Sequence, residues 1–200
     1  MRLAGRTILG SIALLWGVQG ASALQLESTE IAEGAPIAQA QVWPQCKGEN
    51  ISPALTWSDV PEGTKSFAVT VLDPGAMGGK GFWHWLIFNI PADARGLAQG
   101  AGAADGSKAP AGAVQGVNDF GTAGYAGPCP PKGQTHRYVF TLWALDPCPP
   151  KGQTHRYVFT LWALDTETLP FRPDVTGAQA RPQLQLHALG KAMITPRYSH

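Results

Sequence analysis

Four polar side chains lie where apolar segments of the chain meet loops rich in glycine and proline. Asp73 precedes the final proline of TKSFAVTVLDP, His84 lies inside GFWHWLIFNIP, and His136 and Tyr138 lie near the start of THRYVFTLWALD. Taken singly, each could be an ordinary hydrogen-bonded group of a protein interior. Taken together, imidazoles offer donors and a switchable charge, while backbone N–H groups of glycine-rich turns favour anions. The four residues therefore predict a small concave pocket for an anion such as phosphate.

The three segments that carry these residues have the period-two alternation of β-strands. In the first, Phe67, Val69 and Val71 share a face with Asp73. The second and third segments are apolar on both faces, which is typical of strands inside a sheet. The second is expected to place two sets of side chains on opposite faces: Phe82, His84, Leu86 and Phe88 on one, and Trp83, Trp85, Ile87 and Asn89 on the other. Many short strands and long loops predict a mainly β, antiparallel, sandwich-like domain.

Helical spacing is confined to the C-terminal segment TGAQARPQLQLHALGKAMI. Its apolar residues at mixed helical spacing are Leu184, Leu186, Leu189, Ala192 and Met193. Pro182 is expected in the first helical turn, where its missing N–H costs least. By contrast, the Gly/Ala-rich connection from Gly96 to Gly127 has no helical pattern and is long, so it is predicted to be irregular or functional.

One sequence, PCPPKGQTHRYVFTLWALD, occurs twice in tandem, at Pro128–Asp146 and at Pro147–Asp165, without a difference. Two identical units do not make a solenoid, which needs at least three repeats, so the second copy is interpreted as an insertion within another fold. His155 and Tyr157 are the second copy's equivalents of His136 and Tyr138. The first copy keeps GYAGPCPPKGQTHRY contiguous and is expected to build the pocket. The second copy is the alternative.

The N-terminal segment has the pattern of a secretory signal peptide. Basic Arg2 and Arg6 precede an apolar run, and Ala21-Ser22-Ala23 has the A-x-A form of a cleavage site. The run is shorter than the roughly 20 residues that a membrane span needs. Residues 1–23 are therefore predicted to be removed after Ala23, leaving a single domain of residues 24–200 in the periplasm or outside the cell.

Export would allow the cysteines to form a disulfide. Cys129 and Cys148 occupy equivalent positions in the two copies, and Cys46 stands apart from both. Cys46 is expected to pair with Cys129, with Cys148 as the alternative partner, and one thiol remains over. The three cysteines lack the spacing of a zinc site, so no metal is expected.

Composition and motifs exclude several classes of function. The chain is only 14% charged with a net charge of +1, which does not favour nucleic acid or an anionic membrane as a partner. A hydrolase would need a nucleophile such as Ser107 beside Asp73 and a histidine, but no G-x-S-x-G elbow is present. A secreted protein-interaction factor, presenting Trp43 or Trp57, is a third class. Of the three, a non-catalytic binding protein fits the residues best.

Four segments carry a resemblance to a known family: SPALTW, VLDPGAMGGKGFWHWLIFNIPAD, DFGTAGYAGPCPPKGQTHRYVFTLWALD and LHALGKAMITPRY. From about Leu26 to Tyr198, apart from one repeat copy, the chain resembles the bacterial branch of the phosphatidylethanolamine-binding proteins, also called Raf-kinase-inhibitor-like proteins. The resemblance implies a central antiparallel sheet packed on a second sheet, with a short C-terminal helix. It implies a pocket for phosphate-type head groups without a cofactor, and it permits inhibition of a kinase or protease.

The resemblance also assigns residues to the pocket. The ligand-binding positions it implies are Asp73, His84, His136 and Tyr138, with a wall of Gly127, Pro128, Pro130 and Pro131. One departure stands out, because the family usually has Asp-Pro-Asp-x-Pro where this chain has DPGAM. Gly75 and Met77 replace an acid and a proline, which should make the pocket less negative and its loop less rigid.

Overall fold

The computed structural model of the protein describes residues 23–129 and 155–198. Residues 1–22 of the predicted signal peptide lie outside this part. The strands and helices within it are β1 (Gln25–Glu27), β2 (Leu55–Ser58), β3 (Ser66–Asp73), α1 (Ala76–Gly79), β4 (Phe82–Pro91), β5 (Gly96–Leu97), β6 (Val114–Gln115), β7 (His155–Arg156), β8 (Val158–Leu164), α2 (Gly177–Leu186), β9 (Ala188–Ile194) and β10 (Arg197–Tyr198). Short 3-10 turns cover Gln39–Gln41 and Pro44–Cys46.

The architecture is mainly β and antiparallel, as the sequence predicts. A central five-stranded sheet has the order β6-β4-β3-β8-β9, a smaller sheet has the order β1-β2-β5, and β7 pairs with β10. Every pairing within these sheets is antiparallel. β3, β4 and β8 lie inside the central sheet, which explains why their sequences are apolar on both faces.

The two faces of the central sheet bury two separate groups of side chains. The first group, the sandwich core, joins the central sheet to the smaller one and includes Leu26, Leu55, Trp57, Phe67, Val69, Val71, Trp85, Ile87, Tyr157, Phe159 and Leu161. The second group, the helix-side core, is covered by α2 and includes Ala68, Leu86, Phe88, Trp162, Leu164, Ala180 and Leu184. The alternation expected for β3 is therefore confirmed for Phe67, Ala68, Val69 and Val71.

A β-bulge in β4 corrects the predicted alternation of that strand. Val71 pairs with Trp85 and the next residue, Leu72, pairs with Trp83, so His84 is an extra residue on the β4 side. Trp85 lies in the sandwich core, whereas the Trp83 ring lies against Gly177 of α2. The two tryptophans thus face opposite sides rather than the same one. Bulges commonly re-aim a side chain next to a functional site, and this one places His84.

The C-terminal helix is shorter than its sequence pattern indicates. α2 begins with a capping box, in which the Thr176 side chain accepts from Gln179 N–H and the Gln179 side chain accepts from Thr176 N–H. Pro182 consequently lies in the helix interior, not in the first turn as predicted. It removes one backbone hydrogen bond there.

The remainder of the predicted helix is the edge strand β9. Ala188–Ile194 pairs with β8, and its side chains alternate between exposed and more buried positions. Leu189 and Met193, which fit a helical face in the sequence, are exposed on one side of this strand. Short apolar segments fit both periods, and here strand pairing with β8 decides the structure.

The strand at the pocket comes from the second copy of the repeat, which corrects the expectation that the first copy builds it. β8 lies between β3 and β9, and His155 and Tyr157 precede it. His136 and Tyr138 lie outside the described residues. Pro128 and Cys129 of the first copy nevertheless stay beside Gly127. The structure thus combines the start of the first copy with the end of the second.

The residues after β8 explain this choice. Ser66 Oγ donates a hydrogen bond to the Thr166 carbonyl (2.6 Å), and Leu169 N–H donates to Asn89 Oδ1 (2.8 Å). These anchored residues follow the second copy directly, whereas the first copy is followed by Pro147. With the first copy in the sheet, a further 19-residue copy would separate the strand from its turn. With the second copy in the sheet, the strand and its turn stay contiguous in the sequence, from His155 to Leu169.

Deleting one copy, for example Pro147–Asp165, is expected to raise both stability and soluble yield. The connection between Cys129 and His155 would shorten from 25 residues to 6. Closing the shorter loop costs about 1 kcal/mol less, which is roughly 3 °C in Tm. The deletion also removes one of two β-prone, apolar YVFTLWAL segments, which favours solubility.

A matched variant separates these two effects. Replacing residues 130–148 with a Gly/Ser sequence of equal length removes the extra apolar segment and keeps the number of residues between Cys129 and His155 unchanged. This variant should gain soluble yield without the increase in Tm. Thermal unfolding and soluble yield measured side by side test both, and an unchanged yield in both variants would contradict the explanation by the apolar segment.

Candidate functional site

Asp73 is the buried anchor of the site, at the end of β3, with only 1% of its surface exposed. Its Oδ1 accepts hydrogen bonds from Gly75 N–H (3.1 Å) and Ala76 N–H (3.2 Å). Its Oδ2 accepts from His155 Nδ1. Both carboxylate oxygens therefore have partners within the protein. The role of Asp73 is to hold the loop after β3 and to fix a proton on His155 Nδ1.

His155 and Tyr157 are positioned by the pairing of β7 with β10. His155 pairs with Tyr198 across this ladder, and Tyr157 N–H donates to the Pro196 carbonyl (3.0 Å). The two rings stack with centroids 6.2 Å apart, and both residues are buried. His155 and Tyr157 of the second copy thus occupy the place that the sequence predicts for the His-Arg-Tyr motif.

His84 faces this pair from the bulge of β4. Its ring lies 4.9 Å from the Tyr157 ring in an edge-to-face arrangement. Its Nδ1 donates to the Ala126 carbonyl (2.8 Å), and its Nε2 makes no hydrogen bond with the described part of the protein. Burial lowers the pKa of His84 to about 4, although the Asp73 charge and the Ala126 carbonyl oppose this shift. The imidazole is therefore neutral at pH 7.

The segment from Ala126 to Cys129 forms a wall beside His84. Gly127 N–H donates to Asn50 Oδ1 (2.7 Å), and the Pro128 carbonyl accepts from Trp43 N–H (3.1 Å). Position 127 requires glycine, because a Cβ there would lie 2.1 Å from the Gln41 carbonyl oxygen. The predicted wall residues Pro130 and Pro131 lie outside the described residues.

A disulfide joins Cys46 to Cys129 at the end of this wall, with a Cα–Cα distance of 5.6 Å. It spans 83 residues of the chain and ties the 3-10 turn Pro44–Cys46 to the segment after Gly127. Cys148, the alternative partner, lies outside the described residues. The disulfide therefore fixes one side of the site to the N-terminal part of the domain.

Three further aromatic residues, which the sequence analysis does not assign to the site, extend it outward. We call Trp43, Phe82 and Phe120 the aromatic cluster. Trp43 and Phe120 stack with centroids 5.0 Å apart and planes 5° apart, and Phe82 contacts both Phe120 (4.7 Å) and His84 (5.0 Å). One sequence pattern could have indicated Phe120: in NDFG, Asn and Gly are typical of a tight turn around an aromatic residue.

Three further expectations from the sequence concern a nucleophile, a metal site and a membrane span. Ser107 is exposed, and its hydroxyl donates to Asp105 (2.8 Å) within one turn. In residues 23–129 and 155–198, no group of three potential metal ligands occurs. No helix in those ranges is long and apolar enough to cross a membrane.

The lowered pKa of His84 predicts a loss of stability in acid. The unfolded chain takes up this proton near pH 6.5, and the folded chain only near pH 4. The free energy of unfolding should therefore decrease by up to about 3 kcal/mol, through His84 alone, as the pH falls from 6.5 to 4. Urea unfolding at several pH values, with His84→Asn for comparison, measures it.

The Asn variant retains a donor for the Ala126 carbonyl but does not titrate, so its stability should depend less on pH between 6.5 and 4. His187→Ala is the control, since His187 lies near the surface and pairs with Asp165. An identical pH dependence for wild type and His84→Asn would show that His84 does not carry the effect.

Both the sequence and the fold of this chain are similar to those of known proteins. The family model described as phosphatidylethanolamine-binding protein matches residues 27–147 and 145–199. Escherichia coli YbcL is 46% identical over 181 residues, covering 89% of this chain and 88% of YbcL. Escherichia coli YbhB is 43% identical, covering 76% of this chain and 84% of its own. LppC of Mycobacterium tuberculosis, named as a lipoprotein, is 42% identical and covers 62% of this chain and 57% of its own.

Solved structures agree with the sequence relatives. The crystal structure of Escherichia coli YbcL, described as a member of the mammalian PEBP family, has a TM-score of 0.78 and 44% identity. The match covers 90% of this chain and 99% of that one. A PEBP homologue of Chlamydia trachomatis has a TM-score of 0.66 and 30% identity, covering 89% and 98%. On its sequence, its sheets and these matches, the chain belongs to the phosphatidylethanolamine-binding protein family.

Proposed function

We propose that the site of Asp73, His84, His155 and Tyr157 binds a small anion of the phosphate type, and that the protein acts by binding rather than by catalysis. The observation that carries the proposal is His84. It is 4% exposed and neutral, its Nδ1 is fixed by Ala126, and its Nε2 makes no hydrogen bond with the described residues. Such a nitrogen is available for a ligand oxygen.

His84 Nε2 suits phosphate because the two groups can share one proton between a phosphate oxygen and the ring nitrogen. A phosphate monoanion can donate its O–H to neutral His84, and a dianion can accept from the protonated ring. These two protonation states contain the same number of protons. In either state, the complex contains one proton more than a free phosphate dianion and a neutral His84 together. Binding should therefore weaken as the pH rises from about 6 to 8, where phosphate loses its proton.

The charges around the site favour an anion over a cation. The Asp73 carboxylate accepts hydrogen bonds from three protein donors, so both of its oxygens already have partners within the protein and neither is left to bind a cation. In the loop after Asp73, PGAMGGKG, Gly75 stands where the family usually has an acid, and Lys80 is the only charged residue. That loop therefore carries a net positive charge. No observation on the described residues favours a kinase or protease target, so the proposal concerns the small ligand alone.

We also propose that the protein is exported by a cleaved signal peptide. The Cys46–Cys129 disulfide supports an oxidising compartment, and LppC is named as a lipoprotein. N-terminal sequencing of protein purified from the periplasm tests this step, with Leu24 expected as the first residue. An N-terminus at Met1 in the mature protein would contradict it.

Calorimetric titration of inorganic phosphate into the wild-type protein and His84→Asn tests the ligand proposal. Saturable binding that weakens at least about ten-fold in His84→Asn supports it, because the variant lacks the Nε2 position. His187→Ala should bind as the wild type does. Absence of binding to the folded wild-type protein between pH 6 and 8 would overturn the proposal.

A further inference from the structure

Phe120 is a large apolar side chain that remains 45% exposed although it contacts other rings of the site. One side stacks on Trp43, and its ring also meets the rings of Phe82 and His84, the latter at 6.1 Å. By comparison, Phe88, which pairs with Phe171 in the helix-side core, is fully buried. The aromatic cluster therefore continues the site from buried His84 to the surface.

A rigid turn holds Phe120 in this exposed position. Asn118 is 1% exposed, and its Oδ1 accepts from Phe120 N–H (3.0 Å) while its Nδ2 donates to Thr122 Oγ1 (3.0 Å) and the Gly124 carbonyl (3.1 Å). Gly121 has a φ of +81°, which a glycine adopts without strain. The Phe120 ring is thus preorganised, and a ligand that contacts it pays little ordering entropy.

The order of the rings connects the exposed surface with the proposed anion site. Phe82 lies next to His84, and Phe120 lies next to Phe82 and on Trp43. The ester group of a phosphate held at His84 would therefore be within reach of the aromatic cluster. Resting on the proposed function, we propose that this cluster is a second subsite that binds the aromatic group of an aryl phosphomonoester.

The geometry distinguishes a flat ring from a cationic group. Binding of an ammonium group in an aromatic cage requires several ring faces that surround it. Trp43 and Phe120 instead lie parallel and in contact, so no group can enter between them. A flat ring can extend this stack or meet its edges, which are the favourable arrangements for aromatic pairs. The positive loop that carries Lys80 also disfavours a cation.

The test compares inorganic phosphate, phenyl phosphate and phosphoethanolamine by calorimetry on the full-length mature protein. Phenyl phosphate should bind wild type about ten-fold more tightly than inorganic phosphate, the size of a typical stacked aromatic contact. Phe120→Ala should remove most of this preference, and Phe120→Tyr, which keeps the ring, should retain it. Phe171→Ala is the matched control, because it loses an aromatic contact in the helix-side core.

Each outcome decides between the two sites. Unchanged binding of inorganic phosphate by Phe120→Ala, with a reduced affinity for phenyl phosphate alone, supports the second subsite. Equal affinities for both ligands in wild type would overturn the subsite and leave the anion site intact. A preference for phosphoethanolamine that depends on Phe120 would overturn the aryl assignment in favour of a cation. Absence of binding by all three ligands would overturn both the subsite and the proposed function.

Discussion

Replacing His155 with alanine is expected to abolish phosphate binding, whereas His136→Ala should leave it unchanged. The two histidines have identical neighbours in the sequence for the length of the repeat. The structure places His155 beside Asp73, with Tyr157 stacked on it and His84 opposite Tyr157, whereas His136 lies outside the described residues. Calorimetric titration of inorganic phosphate into the two variants measures the difference.

The His155→Ala variant also removes a partner from a buried carboxylate. Removing one member of a buried ion pair typically costs about 3–5 kcal/mol, so this variant can lose binding by losing its fold. His155→Asn separates the two causes, because its amide can still donate to Asp73. A folded His155→Asn protein without phosphate binding would assign the loss to the site. Loss of binding in His136→Ala with retention in His155→Asn would instead assign the site to the first copy.

The sequence alone could predict which residue types meet but not which copy supplies them. Asp73, His84 and the His-Arg-Tyr motif lie at strand ends and in one family pattern, so their convergence follows from local sequence and resemblance. The two copies are identical, so nothing within them can discriminate. The choice depends on contacts of residues outside the repeat, such as Thr166 with Ser66 and Leu169 with Asn89, which are distant in sequence.

Two features of the site depend on tertiary contacts in the same way. The bulge at His84 arises from the pairing of β4 with β3, and an alternating sequence carries no sign of an extra residue. Phe120 looks like any apolar residue in NDFG, and only the buried Asn118 turn shows that its ring is held at the surface. Sequence periodicity indicates which side chains a regular strand buries. His84 lies in a bulge and Phe120 in a turn, so periodicity does not apply to either residue.

The second large effect is expected for the disulfide. Cys46→Ser should lower the free energy of unfolding by about 2–5 kcal/mol, because the Cys46–Cys129 link closes a long loop in the unfolded chain. It should also weaken phosphate binding, since the wall at Gly127 and Pro128 loses its link to the turn Pro44–Cys46. Urea unfolding and phosphate titration of protein prepared under oxidising conditions measure the two effects.

Cys148→Ser is the matched control, since Cys148 has the same flanking sequence, PCPPKG, as Cys129. It should unfold at the wild-type urea concentration and bind phosphate normally. Cys129→Ser discriminates further, because loss of stability equal to that of Cys46→Ser shows that Cys148 does not replace Cys129. A Cys129→Ser protein with wild-type stability would show that Cys148 can take over the link. In that case the wall could be built from either copy, although the strand that carries His155 could not be exchanged without losing the anchored turn after Leu164.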